Sequence, residues 1–202
     1  MLTAICEVMK EAYNRGLITT RDGNAAISRG DTFYITPSGI RKNVLRVEDL
    51  IKYKIKEDGF HTLALKGHEP KPSIEFDMHG NIHLNKKTEY MATLHVHPTN
   101  VVAAMLSGFD LQKIHIVFPE LNRYTLVGPS VGVFYPGDEE LSTNTTLNMY
   151  KEDGSLYDIV GQESHGVFIQ GNDPWACFEH LERLEHACEM ILKSRLKPED
   201  LK

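Results

Sequence analysis

The chain has 202 residues, 41% of them hydrophobic, which is long enough to bury a sizeable core. Its formal net charge is -6 and it has no strongly basic run, which argues against nucleic acid as the main partner. No apolar stretch approaches the roughly 20 residues needed to cross a bilayer, and the amphipathic start lacks the layout of a signal peptide, so we expect no membrane partner. Because no linker or composition shift divides the chain, we predict a single domain over residues 1–202.

The first half of the chain is predicted to be a helix, a strand hairpin, two further strands and a second helix. Leu2 to Asn14 show helical spacing of apolar residues, and Gly16 follows as a stop signal. The hairpin turns at "RGD", and the second helix begins at Pro72 or Ser73. The predicted ranges after the first helix are 25–39 for the hairpin, 49–55 and 61–67 for the strands, and 72–86 for the second helix.

The second half is predicted to begin with a strand over 89–97, ended by Pro98, and a helix that stops at Gly108. The pattern assigns no element to residues 110–138. Residues 157–171 indicate two strands joined across Ser164, His165 and Gly166. A final helix over 173–194 has Asp173 as its cap and Pro174 in its first turn. Its apolar stripe comprises Trp175, Phe178, Leu181, Leu184, Cys188 and Ile191.

Helices on both sides of these strands define an α/β fold, a three-layer α/β/α arrangement with a central, mostly antiparallel sheet. The chain has three cysteines, Cys6, Cys177 and Cys188, an odd number with wide spacing in helical segments. This usage predicts free thiols and a cytoplasmic location.

The segment "TLHVHP" places His95 and His97 one residue apart at the end of a predicted strand. Alternate residues of a strand point to the same face, so both imidazoles can reach one ion while Val96 faces the core. A catalytic divalent metal needs about three protein ligands, and His165, beside Gly166 at a strand–strand turn, is the best third candidate. The alternative is one buried, hydrogen-bonded histidine and one in solvent.

Five motifs occur in order along the chain: "GNAAIS", "ITPSG", "KPSIEFDMH", "HVHP" and "SHGVFIQG". Together they resemble the class II aldolase/adducin family, in particular its fuculose-phosphate aldolase type. The resemblance implies an α/β/α fold with a nine-stranded sheet, and a homotetramer with active sites between subunits. It also implies a divalent metal, usually Zn2+, with Mn2+, Co2+ or Fe2+ as alternatives.

By position in these motifs, His95, His97 and His165 match the metal ligands of the family, and Glu75 matches its catalytic acid/base. The chemistry agrees, because a Lewis acid stabilises an enediolate and a nearby carboxylate moves protons. The alternative for Glu75 is an acidic residue favoured by the helix dipole.

The phosphate-binding positions of the family correspond to Gly23, Asn24, Ser38, Gly39 and Ser73. A second serine position holds Ile74, which removes a hydroxyl donor. The alternative for these glycine-containing segments is tight turns. Arg41 and Lys42 either add positive charge here or are solvated.

The catalytic tyrosine of the aldolases has no counterpart without a gap. Tyr124, Glu120 and His115 lie nearby, and none can be assigned as proton donor. His79 is predicted to be either near the site or a hydrogen-bonded core residue. The remaining histidines are predicted to be on the surface: His61, His68, His83, His180 and His186.

We therefore predict a zinc-dependent aldehyde-lyase that cleaves a small sugar-derived hydroxyketone, with a ketose phosphate as the expected substrate. The alternatives are a dehydratase, 4-epimerase or decarboxylase of the same family, or a non-catalytic adducin-like scaffold. The scaffold branch lacks the complete histidine triad, which this sequence keeps.

Overall fold

The computed structural model describes residues 2–63 and 71–201. Its strands are β1 Asn24–Arg29, β2 Thr32–Ile35, β3 Ile51–Lys56, β4 Gly59–Thr62, β5 Tyr90–Val96, β6 Ile159–Gln162 and β7 Gly166–Gly171. Its α-helices are α1 Leu2–Asn14, α2 Phe76–Leu84, α3 Thr99–Leu106, α4 Leu111–Val117, α5 Pro119–Tyr124, α6 Glu139–Met149 and α7 Pro174–Ser194.

The strands form one sheet in the order β4-β3-β2-β1-β5-β7-β6, and every neighbouring pair is antiparallel. The central pair, β1 and β5, is in register with Asn24 opposite His95 and Ala26 opposite Thr93. Strand β5 is flanked on its other side by β7, with Val96 opposite Val167. The ends of β1, β5 and β7 therefore meet near the middle of the sheet.

Helices cover both faces of this sheet, which confirms the predicted three-layer α/β/α fold. On one face, Leu94 and Val96 of β5 pack with buried residues of α1, α3 and α7. On the other face, Met78 and Ile82 of α2 pack against Phe168 of β7. Residues of one strand alternate between these two layers because successive side chains point to opposite faces.

The sheet of the described residues has seven strands, so the expectation of nine strands was wrong for this part of the chain. Val127 and Val131 each form a single parallel bridge to β6, at the edge where a further strand would lie. Pro129 stands between them and has no N–H to donate, so no continuous ladder forms there.

Several predicted boundaries shift. Helix α2 begins at Phe76 because residues 73–75 form a turn, in which the Phe76 N–H donates to the Ser73 carbonyl at 3.1 Å. The strand predicted over 61–67 begins earlier, at Gly59, and its residues 64–67 lie outside the described residues. The unassigned stretch 110–138 contains α4 and α5, which begin after Asp110 and at Pro119. Helix α6 was not predicted, because its polar residues leave no clear apolar stripe.

Helices α1 and α7 match their predicted ranges. The Asp173 carboxylate accepts from the backbone N–H of Trp175 and of Ala176, at 2.8 and 3.0 Å, which confirms the cap. Trp175 is 40% exposed, so its place in the buried stripe was wrong; its indole N–H donates to Glu7 at 3.3 Å instead. The rest of the stripe is buried.

The three cysteines are free thiols, as predicted. Across residues 2–63 and 71–201, no helix combines the length and the apolar character that a membrane crossing requires.

Candidate active site

Strand β5 positions the first two histidines of the site. His95 is fully buried, and Val96 points into the opposite layer, as the alternation predicted. His95 Nδ1 lies 3.0 Å from the Val167 carbonyl oxygen, so this nitrogen donates and Nε2 keeps its lone pair. His97 Nε2 lies 2.9 Å from His95 Nε2, so the ring of His97 faces His95 and not the solvent.

The turn between β6 and β7 brings His165 to the same place. Ser164 has a φ of 59°, and His165 N–H donates to the Gln162 carbonyl at 3.0 Å, which closes the turn. A Cβ on Gly166 would lie only 2.3 Å from the Val96 carbonyl oxygen, so only glycine allows β7 to approach the end of β5 this closely. One ring nitrogen from each of His95, His97 and His165 lies within 4.8 Å of the others.

Glu75 completes the group from α2, the helix on the face of the sheet to which His95 points. It is the N-cap residue of α2 and is 6% exposed. Its Oε2 lies 3.3 Å from His95 Nε2, and its Oε1 lies 3.6 Å from His165 Nε2. Oε2 also accepts from Asn24 Nδ2 at 2.7 Å, whereas Oε1 is buried without a hydrogen-bond partner among the described residues.

The three rings are electrically neutral near pH 7. Burial lowers the pKa of His95 to about 3 and that of His97 to about 4. Burial also lowers the pKa of His165, and the nearby Glu75 carboxylate partly offsets this effect. Metal ligation requires neutral imidazole, so these protonation states suit a cation.

The donor set fits a divalent metal. The Nε2 atoms of His95 and His97 lie 2.9 Å apart, so a divalent cation bound to both would replace the proton of an N–H···N hydrogen bond between them. The bond from His95 Nδ1 to the Val167 carbonyl fixes the ring that would ligate, which is how metal-binding histidines are commonly oriented. Three imidazoles are a common ligand set for zinc.

A cavity of about 180 Å³ opens beside these histidines. All five residues predicted to bind phosphate line it, together with Glu75, His97 and His165: Gly23, Asn24, Ser38, Gly39 and Ser73. Every predicted site residue except His95 therefore lines the cavity, and the buried His95 packs against His97 with ring centroids 4.8 Å apart. Ile74 also lines the cavity and is 66% exposed.

Two of the predicted phosphate-binding side chains hold Glu75. Asn24 donates to the Glu75 carboxylate, and its Oδ1 lies 2.5 Å from His79 Nε2. Ser73 Oγ accepts from the Glu75 backbone N–H at 3.2 Å. These contacts leave Gly23, Ser38 and Gly39 as the predicted phosphate positions with no hydrogen bond to Glu75.

Lys42 is a buried cation, although its sequence pattern left open whether the side chain is solvated. It is 2% exposed and lines the cavity, so it is not solvated. Its Nζ donates to the carbonyl oxygens of Arg21 and Ile40, at 3.0 and 3.2 Å, and forms no ion pair with a described residue. Burial lowers its pKa. Its spacing from "PSG" was the available signal, but the pattern does not show which way the side chain points.

Two histidines predicted to be on the surface are not. His83 is fully buried, with Nδ1 2.7 Å from Ser28 Oγ and Nε2 2.9 Å from Thr93 Oγ1. His180 is partly buried against Thr125, at 2.9 Å. His186 is exposed as predicted, His61 is half-buried, and His68 lies outside the described residues. His79 is a hydrogen-bonded core residue that also reaches the site through Asn24.

None of the three candidates for a proton donor lines the cavity. Tyr124, on α5, is half exposed and lies under the Arg183 guanidinium of α7, 5.5 Å from the ring centroid. His115 belongs to α4 and Glu120 to α5, and both helices pack with α7.

The comparisons with known proteins agree with this fold. The family model of the class II aldolase and adducin N-terminal domain matches residues 3–192. The chain therefore belongs to the class II aldolase and adducin N-terminal domain family.

Its curated relatives include two kinds of enzyme. The L-fuculose phosphate aldolase of Methanococcus maripaludis is 26% identical over 94% of each chain. The methylthioribulose-1-phosphate dehydratase of Schizosaccharomyces japonicus is 24% identical over 85% of this chain and 77% of its own. Both are relatives within the family, and they catalyse different reactions by name.

Among solved structures, a sugar-phosphate aldolase from Thermotoga maritima matches with a TM-score of 0.75 and 22% identity, over 98% of this chain and 97% of its own. The L-fuculose-1-phosphate aldolase from Thermus thermophilus matches with a TM-score of 0.70 and 22% identity, over 96% of this chain and 94% of its own. At this identity the likeness establishes the fold.

Proposed function

We propose that this protein is a divalent-metal-dependent lyase of the aldolase type that acts on a small phosphorylated hydroxyketone. The observation that carries the proposal is the convergence of His95, His97 and His165 within 4.8 Å of one another, with the Glu75 carboxylate 3.3 Å from His95. Its aldolase relatives support the reaction type.

The three histidines would hold the metal, with Zn2+ as the first candidate. A divalent cation there would act as a Lewis acid on the ketone oxygen of the substrate. Glu75 would accept the proton from the reacting carbon or hydroxyl group and return it. Its Oε1 is suited to this step, because it carries no hydrogen bond from a described residue and lies 3.6 Å from Nε2 of the cavity residue His165.

The charges around the cavity favour an anionic substrate. Arg21 and Lys42 balance Asp22 and Glu75, and all four line the cavity. A divalent cation on neutral histidines would give the cavity a net charge of about +2, which matches a phosphate monoester of charge about −1.5 to −2. Lys42 has two of its three N–H groups on carbonyl oxygens, and the third remains to bind an oxyanion.

A dehydratase of a ketose phosphate is the second candidate. One observation favours it: the family includes methylthioribulose-1-phosphate dehydratase relatives. Both reactions begin with the same metal site and base, and they diverge at the leaving group. Following the resemblance, we also propose a single-domain, cytoplasmic homotetramer. The exposed side chains of Val133 and Tyr135, just before the cavity residue Pro136, are consistent with contacts between copies.

The experiment is a comparison of the wild type with Glu75→Gln, both metal-loaded, on a panel of ketose phosphates and free ketoses with products identified by mass spectrometry. Glutamine keeps one oxygen to accept from Asn24, so we expect unchanged folding and metal content. Turnover should fall by about two to four orders of magnitude, the usual contribution of a positioned general base.

The matched control is Glu179→Gln, which removes a charge from an exposed side chain of α7. Wild-type rates of proton exchange at the substrate carbon in Glu75→Gln, followed by NMR in heavy water, would show that another group is the base. The products of the wild type separate an aldolase from a dehydratase.

A further inference from the structure

A chain of buried hydrogen bonds runs from Glu75 through the layer between α2 and the sheet. Successive residues are joined by these distances: Glu75 to Asn24 2.7 Å, Asn24 to His79 2.5 Å, His79 to Thr93 2.6 Å, Thr93 to His83 2.9 Å, and His83 to Ser28 2.7 Å. All six residues are at most 6% exposed. We refer to this set as the buried hydrogen-bond chain.

The fold places these residues in one line. Asn24 and Ser28 lie on the same face of β1, since residues an even number apart share a face. Thr93 lies on β5 directly opposite Ala26, midway between them. His79 and His83 are one helical turn apart on α2, which covers this face.

The direction of each hydrogen bond follows from the types of group. A carboxylate only accepts, so Asn24 turns its N–H₂ to Glu75 and its Oδ1 to His79. His79 Nε2 must then carry the proton. Burial lowers the pKa of His79 well below 6.5 and that of His83 to about 3, so both rings are neutral. His79 Nδ1 therefore accepts from the Thr93 hydroxyl.

The same reasoning continues to the far end. Thr93 donates its one hydroxyl proton to His79, so its oxygen accepts from His83 Nε2–H. The neutral ring of His83 then accepts at Nδ1 from the Ser28 hydroxyl. Every donor points toward Glu75, and each side-chain bond has only one orientation that satisfies its neighbours.

We propose that His79, Thr93 and His83 are positioning residues for Glu75. Their one-way hydrogen bonds hold the Asn24 amide with its N–H toward the carboxylate, which fixes Oε2 and leaves Oε1 as the oxygen that exchanges a proton with the substrate. This inference rests on the proposed function for the role of Glu75, and adds residues that lie outside the cavity and do not touch a substrate.

The first test needs no substrate. Correlation of ring 15N and 1H signals in the wild type should show the Nε2–H form for both His79 and His83. A crystal structure of Thr93→Val should show the Glu75 carboxylate displaced from His95, because valine cannot donate to His79. An Nδ1–H form of His79, or an unmoved Glu75, would overturn the proposal.

The second test uses the best substrate from the panel. In Thr93→Val the kcat should fall by about ten- to a hundredfold, the usual cost of losing a supporting hydrogen bond behind a reactive group, with KM and metal content near wild type. Thr93→Ser keeps the hydroxyl and should recover most of the kcat. A purely structural role would lower the active fraction in both variants alike.

The matched control is Thr145→Val. Thr145 is also fully buried and its hydroxyl also serves a side chain, accepting from Gln162 Nε2 at 2.8 Å, but it is not part of the buried hydrogen-bond chain. Equal kcat in Thr93→Val and Thr145→Val would contradict the proposal. If the wild type acts on no substrate of the panel, the proposed function fails, and the ring signals and the crystal structure still decide the inference.

Discussion

Gly166 is the position at which packing and the candidate metal site depend on a single missing methyl group. In Gly166→Ala the new Cβ would lie 2.3 Å from the Val96 carbonyl oxygen and 2.9 Å from His97 Cδ2, whereas ordinary contact begins at 3.4 Å. Strand β7 must therefore retreat from β5 by roughly 1 Å, because the nearest atom is backbone and cannot rotate away. Overpacking of this kind costs about 1–3 kcal/mol, and the shift separates His165 from His97.

Metal ligands must stay within about 0.2 Å of their working distances, so a displacement of this size should weaken metal binding. We expect zinc affinity, measured by competition with a chelator, to fall by at least about tenfold, which is the lower end of losses seen for residues that orient ligands. The melting temperature should fall by about 2–4 °C for each kcal/mol lost. The matched control is Gly132→Ala, whose Cβ meets no atom within 4 Å. Zinc affinity and stability equal to those of the control would refute the packing argument.

Two further predictions follow from buried cations and buried neutral rings. Lys42→Met should raise KM for a phosphorylated substrate by about ten- to a hundredfold, which is the value of a charged hydrogen bond, and should change KM for the unphosphorylated analogue little. Steady-state kinetics on both substrates provides the measurement, and the exposed Lys10→Met is the control. Stability without metal should fall as the pH is lowered from about 6.5 toward 3, because His83, with a pKa of about 3 when folded, takes up its proton only on unfolding. Its contribution is about 1.4 kcal/mol per pH unit, so His83→Gln should flatten the dependence of the urea midpoint on pH, whereas the exposed His186→Gln should not.

The sequence correctly predicted the helices and strands that have one apolar side and one polar side. Helices α1 and α7 match their predicted ranges because each has one continuous apolar stripe and polar residues elsewhere. The alternation of His95, Val96 and His97 correctly placed the two histidines on one face, because a strand has a period of two. The predicted cluster with His165 depends on a long-range contact, which the resemblance supplied and periodicity could not.

The errors concentrate where polar residues are buried. His83 was assigned to the surface because a histidine between Ile82 and Leu84 has no apolar periodicity of its own, and only the contact with β1 and β5 shows that this face is inward. Lys42 posed the same problem, since a buried ammonium is stabilised by carbonyl oxygens that its local sequence does not specify. Burying a polar group costs free energy, so a buried polar side chain such as Lys42 or His83 is retained mainly where it serves a site. Predictions from sequence patterns are therefore expected to fail mainly at functional sites.

Strand β5 explains how one layer serves both the metal site and the base. Because side chains alternate along a strand, Thr93, His95 and His97 all point to the layer of α2. From residue 93 to residue 97, every side chain on this face therefore belongs to the proposed site or to the buried hydrogen-bond chain. At its open end the strand presents His97 to the cavity, with His95 buried behind it. Further in, the strand presents the Thr93 hydroxyl to His79 and His83. Glu75 contacts both ends of this arrangement, His95 directly and Thr93 through Asn24 and His79. A shift of β5 along its neighbours would therefore disturb the metal ligands and the base together, so the register of β1 with β5 is the structural feature on which the proposed chemistry depends most.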